Sequence, residues 1–197
     1  MKRHLVIMLK EPRPGRVKTR LGVGMGMVAA AWWYRHQVAR LLRRLDDPRW
    51  QITLAVAPDI EGSKSRIWPN KYLRVMQGQG DLGDRMARLF HELPRGPVVI
   101  IGSDIPTVEK HHINAAFKSL GNHQAVFGPS GDGGYWLVGL KRVARPPSRI
   151  FQNVRWSSEY ALADSRASFD GLTIAEVATL QDIDTLADLI AHQSRRP

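Results

Sequence analysis

The chain has 197 residues, 43% of them hydrophobic, no cysteine, and 29 lysines and arginines against 18 aspartates and glutamates, for a formal net charge of +11. That length suits one well-cored domain over residues 1–197, and the lack of cysteine excludes disulfides, thiolate zinc sites and a cysteine nucleophile. No apolar run reaches the roughly 18 residues of a membrane span, and Met1-Lys2-Arg3-His4 leads straight into a short strand instead of a signal peptide, so a cytoplasmic location without a membrane partner is expected.

The cationic excess favours anionic partners such as phosphates or nucleic acid. It is densest at Arg13 to Arg20, Arg35 to Arg44, Lys141 to Arg149 and Arg195-Arg196, a spread that a generally basic surface explains equally well. His4-Leu5-Val6-Ile7-Met8-Leu9 reads as a buried strand, and Lys10 to Leu21 as the loop after it. Pro12, Pro14 and Gly15 prevent regular structure there, while Lys10, Arg13, Arg16, Lys18 and Arg20 crowd positive charge at the strand's carboxyl end. Such a loop suits a polyphosphate, although neither the Walker nor the G-x-G-x-x-G spacing is present. A long helix is expected from about Met27 to Asp46, with Val28, Trp32, Val38, Leu41, Leu42 and Leu45 near helical spacing. Trp32, Trp33 and Tyr34 read as core or subunit-contact residues, which leaves a homodimer open.

Gln51 to Ala57 is the next strand, Pro58 to Asn70 a loop or short helix, and Tyr72 to Met76 a strand ending in the polar turn Gln77-Gly78-Gln79-Gly80-Asp81-Leu82-Gly83. Its glycines let the backbone approach a flat ligand whose hydrogen-bonding edge Gln77 or Gln79 could read. Leu82 to Leu93 is helical, with Met86, Leu89, Phe90 and Leu93 on one face. Val98-Val99-Ile100-Ile101 is four β-branched residues in a row, the pattern of a central parallel strand covered by helices. Asp104 follows just past its carboxyl end, where ligands sit in open α/β sheets; as a lone residue it would pass for a turn or helix cap.

Val108 to Leu120 forms a helix with Ile113, Ala116, Phe117 and Leu120 inward and His111-His112 on its solvated surface. Gln124 to Pro129 is a strand, and Ser130-Gly131-Asp132-Gly133-Gly134 turns into another that runs to Leu140. This turn is either a tight hairpin with Tyr135 in the core or a loosened stretch where a substrate meets backbone amides. Phe151 to Ser158 carries Trp156 before a helix starting near Ser157 or Ser158, and Thr173 to Val177 is a late strand. Asp182-Ile183-Asp184-Thr185 opens the last helix, with Asp184 or Thr185 as its cap. Strands alternating with helices give an α/β fold, a mostly parallel mixed sheet flanked by helices.

The motifs Pro14-Gly15-Arg16-Val17-Lys18-Thr19-Arg20-Leu21, Gln79-Gly80-Asp81-Leu82-Gly83-Asp84-Arg85-Met86, Gly102-Ser103-Asp104-Ile105-Pro106, Gly128-Pro129 with Asp132-Gly133-Gly134-Tyr135, Trp156-Ser157 and Asp182-Ile183-Asp184-Thr185 come in an order that resembles a bacterial family of small GT-A-fold transferases. That family is glycosyltransferase-like and associated with radical-SAM or selenoprotein-type neighbours. More distantly, the chain is similar to the 2-phospholactate and molybdenum-cofactor guanylyltransferases. The resemblance implies a nucleotide-diphospho-sugar transferase-like fold, a phosphate-contacting Lys18 with Arg20 beside it, and a Mg²⁺ (or Mn²⁺) site at Asp104 completed by Asp184. Lys18 and Asp104 would then be the catalytic pair.

The nucleotide side would comprise Lys10, Gly15, Arg16, Lys18 and Arg20 with Gln79, Leu82 and Gly83, and the acceptor side Asp132, Gly133, Gly134, Tyr135 and Trp156. Two departures from the resembled pattern matter: Ile105 stands where many relatives carry cysteine, and Ser103-Asp104-Ile105 offers one acid where glycosyltransferases often use D-x-D. The leading expectation is a Mg²⁺-dependent nucleotidyltransferase that joins a nucleoside triphosphate to a phosphorylated or carboxylate small molecule. Glycosyl transfer from a nucleotide-diphospho-sugar is the alternative. A basic nucleic-acid-binding domain is disfavoured, because no recognised motif appears and aromatics do not interleave with the basic runs.

Overall fold

In the computed structural model, which describes residues 1–194, the first strand β1 (His4–Lys10) shows why the layers form. Successive side chains of a strand point to opposite faces, and here both faces are covered. Leu5, Ile7 and Leu9 pack with Tyr34, Val38, Leu41 and Leu42 of the helix α2 (Met27–Leu45) and with Ile113, Ala116 and Phe117 of α5 (Lys110–Asn122). Val6 and Met8 pack with Met86, Leu89 and Phe90 of α4 (Leu82–Glu92) and with Phe151 and Phe169. The basic pair Arg195-Arg196 lies outside the described residues.

The remaining strands are β2 (Gln51–Ala57), β3 (Leu73–Met76), β4 (Val98–Ile101), β5 (Ala125–Pro129), β6 (Tyr135–Leu140) and β7 (Ile174–Glu176), and the seven-stranded sheet runs β3-β2-β1-β4-β6-β5-β7. β4 therefore stands at the middle of the sheet, and its four residues are buried, as an uninterrupted apolar run requires. β1 pairs in parallel with β2 and β4, and β2 with β3; β6 is antiparallel to both β4 and β5, and β7 is parallel to β5. The sheet is thus mostly parallel and mixed, as the alternation of elements predicts.

Three boundaries differ from the sequence pattern for physical reasons. A short helix, α1 (Thr19–Met25), occupies the end of the expected loop although Gly22 and Gly24 sit inside it. Those glycines cost helix propensity, but they permit packing. A Cβ on Gly22 would lie 2.5 Å from the Met27 sulfur, and one on Gly24 would lie 2.7 Å from Cβ of Leu186, the first residue of α7 (Leu186–Ser194). The helix after Trp156, α6 (Ala161–Ala167), begins later than expected because Ser157 adopts a positive φ of 58° and Ser158 closes a turn onto the Arg155 carbonyl. α5 starts at Lys110, two residues after the expected Val108, because Glu109 forms a capping box with His112. The remaining short helix, α3 (Asp59–Lys64), lies within the expected loop-or-helix stretch.

Candidate active site

The carboxyl ends of β1 and β4 open onto one cleft, and three segments bring its charged groups together. Gly102 ends β4, and the turn that follows presents Asp104 to the cleft while burying Ser103 and Ile105. From the far end of the sequence, Ile183 is anchored between α1, α2 and α7 by contact with Leu21, Ala30 and Leu189. Its backbone N–H donates to the Asp104 carbonyl at 3.2 Å. Asp182 and Asp184, two positions apart in this extended segment, are thereby set beside Asp104, and one oxygen of each of the three carboxylates lies within 4.8 Å of the others.

Capping of α7 falls to Thr185, one of the two expected caps. Its hydroxyl and N–H both donate to Asp188 at 2.7 Å, and it accepts from the Asp188 N–H at 3.3 Å. Asp184 is consequently free to serve the cleft. Lys18 reaches the cluster from the loop before α1 and donates from Nζ to Asp104 Oδ2 and to Asp184 Oδ1, both at 2.6 Å. Arg20 donates to the other Asp184 oxygen at 2.9 Å. Lys18 adopts a left-handed backbone with φ 47°, an uncommon conformation for a side chain of this size. Such strain persists where the surroundings over-determine it.

Burial alone would lower the Lys18 pKa, but the charges and hydrogen bonds of Asp104 and Asp184 outweigh it and hold the ammonium above its ordinary value. Among the described residues, Asp182 accepts no side-chain hydrogen bond. Burial first, then the charges of Asp104 and Asp184, push its carboxyl up to about 6.

Two cavities meet at this cluster. One, of about 550 Å³, is lined by Lys10, Arg16, Lys18, Arg20, Arg85 and Leu82, with Tyr34 and Ser103 in its wall. The Tyr34 hydroxyl accepts from the Lys10 N–H at 3.0 Å and bonds Ser103 Oγ at 2.8 Å, so one of the aromatics expected in the core also shapes the cleft. The second cavity, of about 460 Å³, is lined by Asp132, Gly134, Tyr135 and Trp156 together with Ser157 and Glu159. Arg20, Leu82, Gly102, Asp104 and Asp184 line both. Each is of the size that holds a small ligand.

Of the expected nucleotide-side residues, Lys10, Arg16, Lys18, Arg20 and Leu82 share the first cavity. Gln79 lies instead in an adjoining basic cavity with Arg13 and Glu11, joined to the first through Lys10, Arg16 and Arg85. Gly15 lines neither; its φ of 74° serves the turn of the loop. Gly83 is buried in α4, where a Cβ would lie 2.7 Å from Phe151 Cβ and 2.8 Å from the Trp156 ring, so it serves helix packing. The Gln77 amide is spent on the carbonyls of Leu9 and Ala55, at 3.1 and 2.8 Å, and holds the turn to the sheet.

Of the residues expected on the acceptor side, those of the turn at Asp132 form the hairpin that the sequence allowed and also wall the second cavity. The β5–β6 hairpin closes with Ser130 N–H donating to the Gly134 carbonyl at 3.0 Å. Gly133 has φ 84°, and a Cβ there would meet the Glu159 carbonyl oxygen at 2.2 Å, so close backbone packing requires it. Asp132 accepts from Ser130 Oγ at 2.5 Å and from Gly134 N–H at 3.0 Å. The Tyr135 hydroxyl accepts from Ser165 Oγ at 3.1 Å, and Trp156 donates its indole N–H to Asp81 at 3.1 Å, tying this wall to the start of α4. Asp182, Arg85, Tyr34 and Glu159 are among the cleft residues that sequence reasoning misses. The signal for Asp182 is present in the Asp182-Ile183-Asp184 spacing, which is D-x-D, and Arg85 stands inside a quoted motif.

A family model described as an uncharacterized protein conserved in bacteria, DUF2064, matches residues 40–158. No curated protein matches the chain. Among solved structures, a protein from Desulfovibrio desulfuricans provisionally named a nucleotide-diphospho-sugar transferase is 28% identical, covering all of this chain and 89% of that one with a TM-score of 0.86. Two more distant structures share the fold. Rv0371c of Mycobacterium tuberculosis, in complex with manganese, is 13% identical with both chains fully covered and a TM-score of 0.56. CMP:2-keto-3-deoxy-manno-octonic acid synthetase in complex with CTP is 13% identical, 98% of each chain covered, with a TM-score of 0.60. The fold is therefore that of nucleotide-diphospho-sugar transferases and nucleotidyltransferases.

Proposed function

The chain belongs to that bacterial DUF2064 family, and from this premise we propose that it is a divalent-cation-dependent nucleotidyltransferase that joins a nucleoside triphosphate to a small-molecule acceptor. The observation that carries the reading is the division of the cleft: a basic cavity and an aromatic, hydroxyl-lined cavity meet at Asp104, Asp182 and Asp184. Lys10, Arg16, Lys18, Arg20 and Arg85 give the triphosphate a site of matching charge. In-line displacement at the α-phosphorus by an oxyanion depends on positioning and charge stabilisation, which suits a site built from cations and carboxylates.

Asp104, Asp182 and Asp184 fit a hard cation, because they supply only oxygen donors, within a span that one ion can bridge. When bound, it would neutralise phosphate charge as the acceptor attacks and pyrophosphate leaves. The manganese complex of one distant structure supports a divalent cation in this reading, and the CTP complex of the other supports a nucleoside triphosphate.

A second reading, glycosyl transfer from a nucleotide-diphospho-sugar, is favoured by a separate observation. The acceptor-side cavity carries Asp132, Glu159 and Asp182 with Arg20 as its cation, beside Ser157, Ser158 and Trp156. That lining suits a hydroxylated group better than a phosphate or carboxylate. Incubation with each nucleoside triphosphate, GTP first because of the guanylyltransferase resemblance, or with each nucleotide-diphospho-sugar separates the two. The nucleotidyl reading expects Mg²⁺-dependent thermal stabilisation by a triphosphate and pyrophosphate release once an acceptor is supplied. Stabilisation by a nucleotide-diphospho-sugar alone, with release of nucleoside diphosphate, would replace it by glycosyl transfer.

A further inference from the structure

Both oxygens of Asp184 already carry a cationic partner, Lys18 on one and Arg20 on the other, and Lys18 also takes an oxygen of Asp104. We propose that Lys18 is the resident counter-ion of this carboxylate cluster and has to leave Asp104 and Asp184 before a divalent cation binds, so that metal binding is conditional on a phosphate ligand that draws the ammonium away. The proposal rests on the reading of Asp104, Asp182 and Asp184 as a metal site.

The geometry makes the two occupants exclusive. A Mg²⁺ or Mn²⁺ ion ligates carboxylate oxygen at about 2.1 Å. If it bound the oxygens that Lys18 holds at 2.6 Å, ion and ammonium would stand less than about 5 Å apart. Repulsion at that range is strong where water is excluded, and the Lys18 side chain is only 8% exposed. Arg20 is different, since its side chain is 73% exposed and solvent screens it. It can swing clear at little cost.

Lys18 has open space beside it to move into. Its backbone is fixed in the left-handed conformation at the start of α1, but its side chain lines the 550 Å³ basic cavity, where Arg16 and Arg85 gather the same anion. Phosphate oxygens arriving there give the ammonium new partners and free the carboxylates in one event. Lysine and metal thus alternate at Asp104 and Asp184, and the cluster keeps a compensating charge in both states.

The test titrates the nucleotide-free chain with MnCl₂ and reads bound manganese by electron paramagnetic resonance. Removing the resident charge in Lys18→Gln or Lys18→Met should tighten manganese binding by about tenfold or more over the unaltered chain. Equal or weaker binding in the variants overturns the proposal and leaves the metal reading standing. If neither the variants nor the unaltered chain binds manganese, the metal reading itself fails and takes the proposal with it. A second measurement needs no variant. In the unaltered chain labelled with ¹⁵N-lysine, the Lys18 ammonium resonance should shift when Mg²⁺ is added together with pyrophosphate, and a resonance that stays fixed while the metal binds is the contrary result.

Discussion

The Tyr34 hydroxyl stands at the end of a buried ring that lines the basic cavity, and it hydrogen-bonds two groups from distant parts of the sequence. It accepts from the N–H of Lys10, the last residue of β1, and bonds Ser103 Oγ beside Asp104. Burial pushes the phenol up to about 12, which suits a neutral hydrogen-bonding post. Tyr34→Phe keeps the ring's packing and removes both hydrogen bonds. An unsatisfied buried polar group costs about 1–3 kcal/mol, so urea denaturation of that variant should show a loss of this size. An unchanged midpoint would mean that a water molecule takes the place of the hydroxyl. Nothing in the run Trp32-Trp33-Tyr34 marks the third aromatic as the one whose polar end matters, because the difference lies in partners far away in sequence.

The cluster's geometry depends on how α1 sits against α7, and Gly24 sets that distance. A methyl group there would meet Leu186 Cβ at 2.7 Å, an atom too close to its backbone to rotate away. Gly24→Ala should therefore push the helices apart, cost about 1–3 kcal/mol in chemical denaturation and weaken manganese binding, since Asp184 precedes Leu186 by two residues. Gly121 in α5 is the matched control: a Cβ there meets nothing within 4 Å. Gly121→Ala should raise stability by about 0.5–1 kcal/mol through helix propensity alone. A loss at Gly121 equal to that at Gly24 would count against the packing explanation.

These elements also show what a sequence discloses. β4 and the buried face of α4 are legible because burial on two faces forces an unbroken apolar run, and burial on one face forces helical spacing. Lys18 and Asp104 are legible as cleft residues because each follows the carboxyl end of a strand within a motif, while Asp184 is legible only as what the family resemblance implies. α1 is not legible, since its glycines answer to Met27 and Leu186 and not to local propensity. Asp182 is hidden for the same reason: an acid pair before a helix looks like a cap until Ile183 is seen fastened into a distant cluster.

Across the whole molecule, the charge of +11 is divided, and the division decides between small and large anions. The basic cavity sets Lys10, Arg16, Lys18, Arg20 and Arg85 against Asp81, Asp104 and Asp184, while in the cavity beside it Asp104, Asp132, Glu159, Asp182 and Asp184 face Arg20. Under the proposed function a compact polyphosphate would occupy the first. An extended nucleic acid crossing the cleft would lay phosphates over the acidic wall and gain from only part of the basic charge. Its binding would rest on released counterions, and that term falls steeply with salt, by about 0.9 per phosphate contact on a log–log plot for duplex DNA. Filter binding of duplex DNA should therefore fade to the non-specific range, with Kd weaker than about 10⁻⁶ M at physiological salt. Sub-micromolar binding that survives there, undiminished by a saturating nucleoside triphosphate, would instead make the basic surface a nucleic-acid interface and the cleft incidental to it.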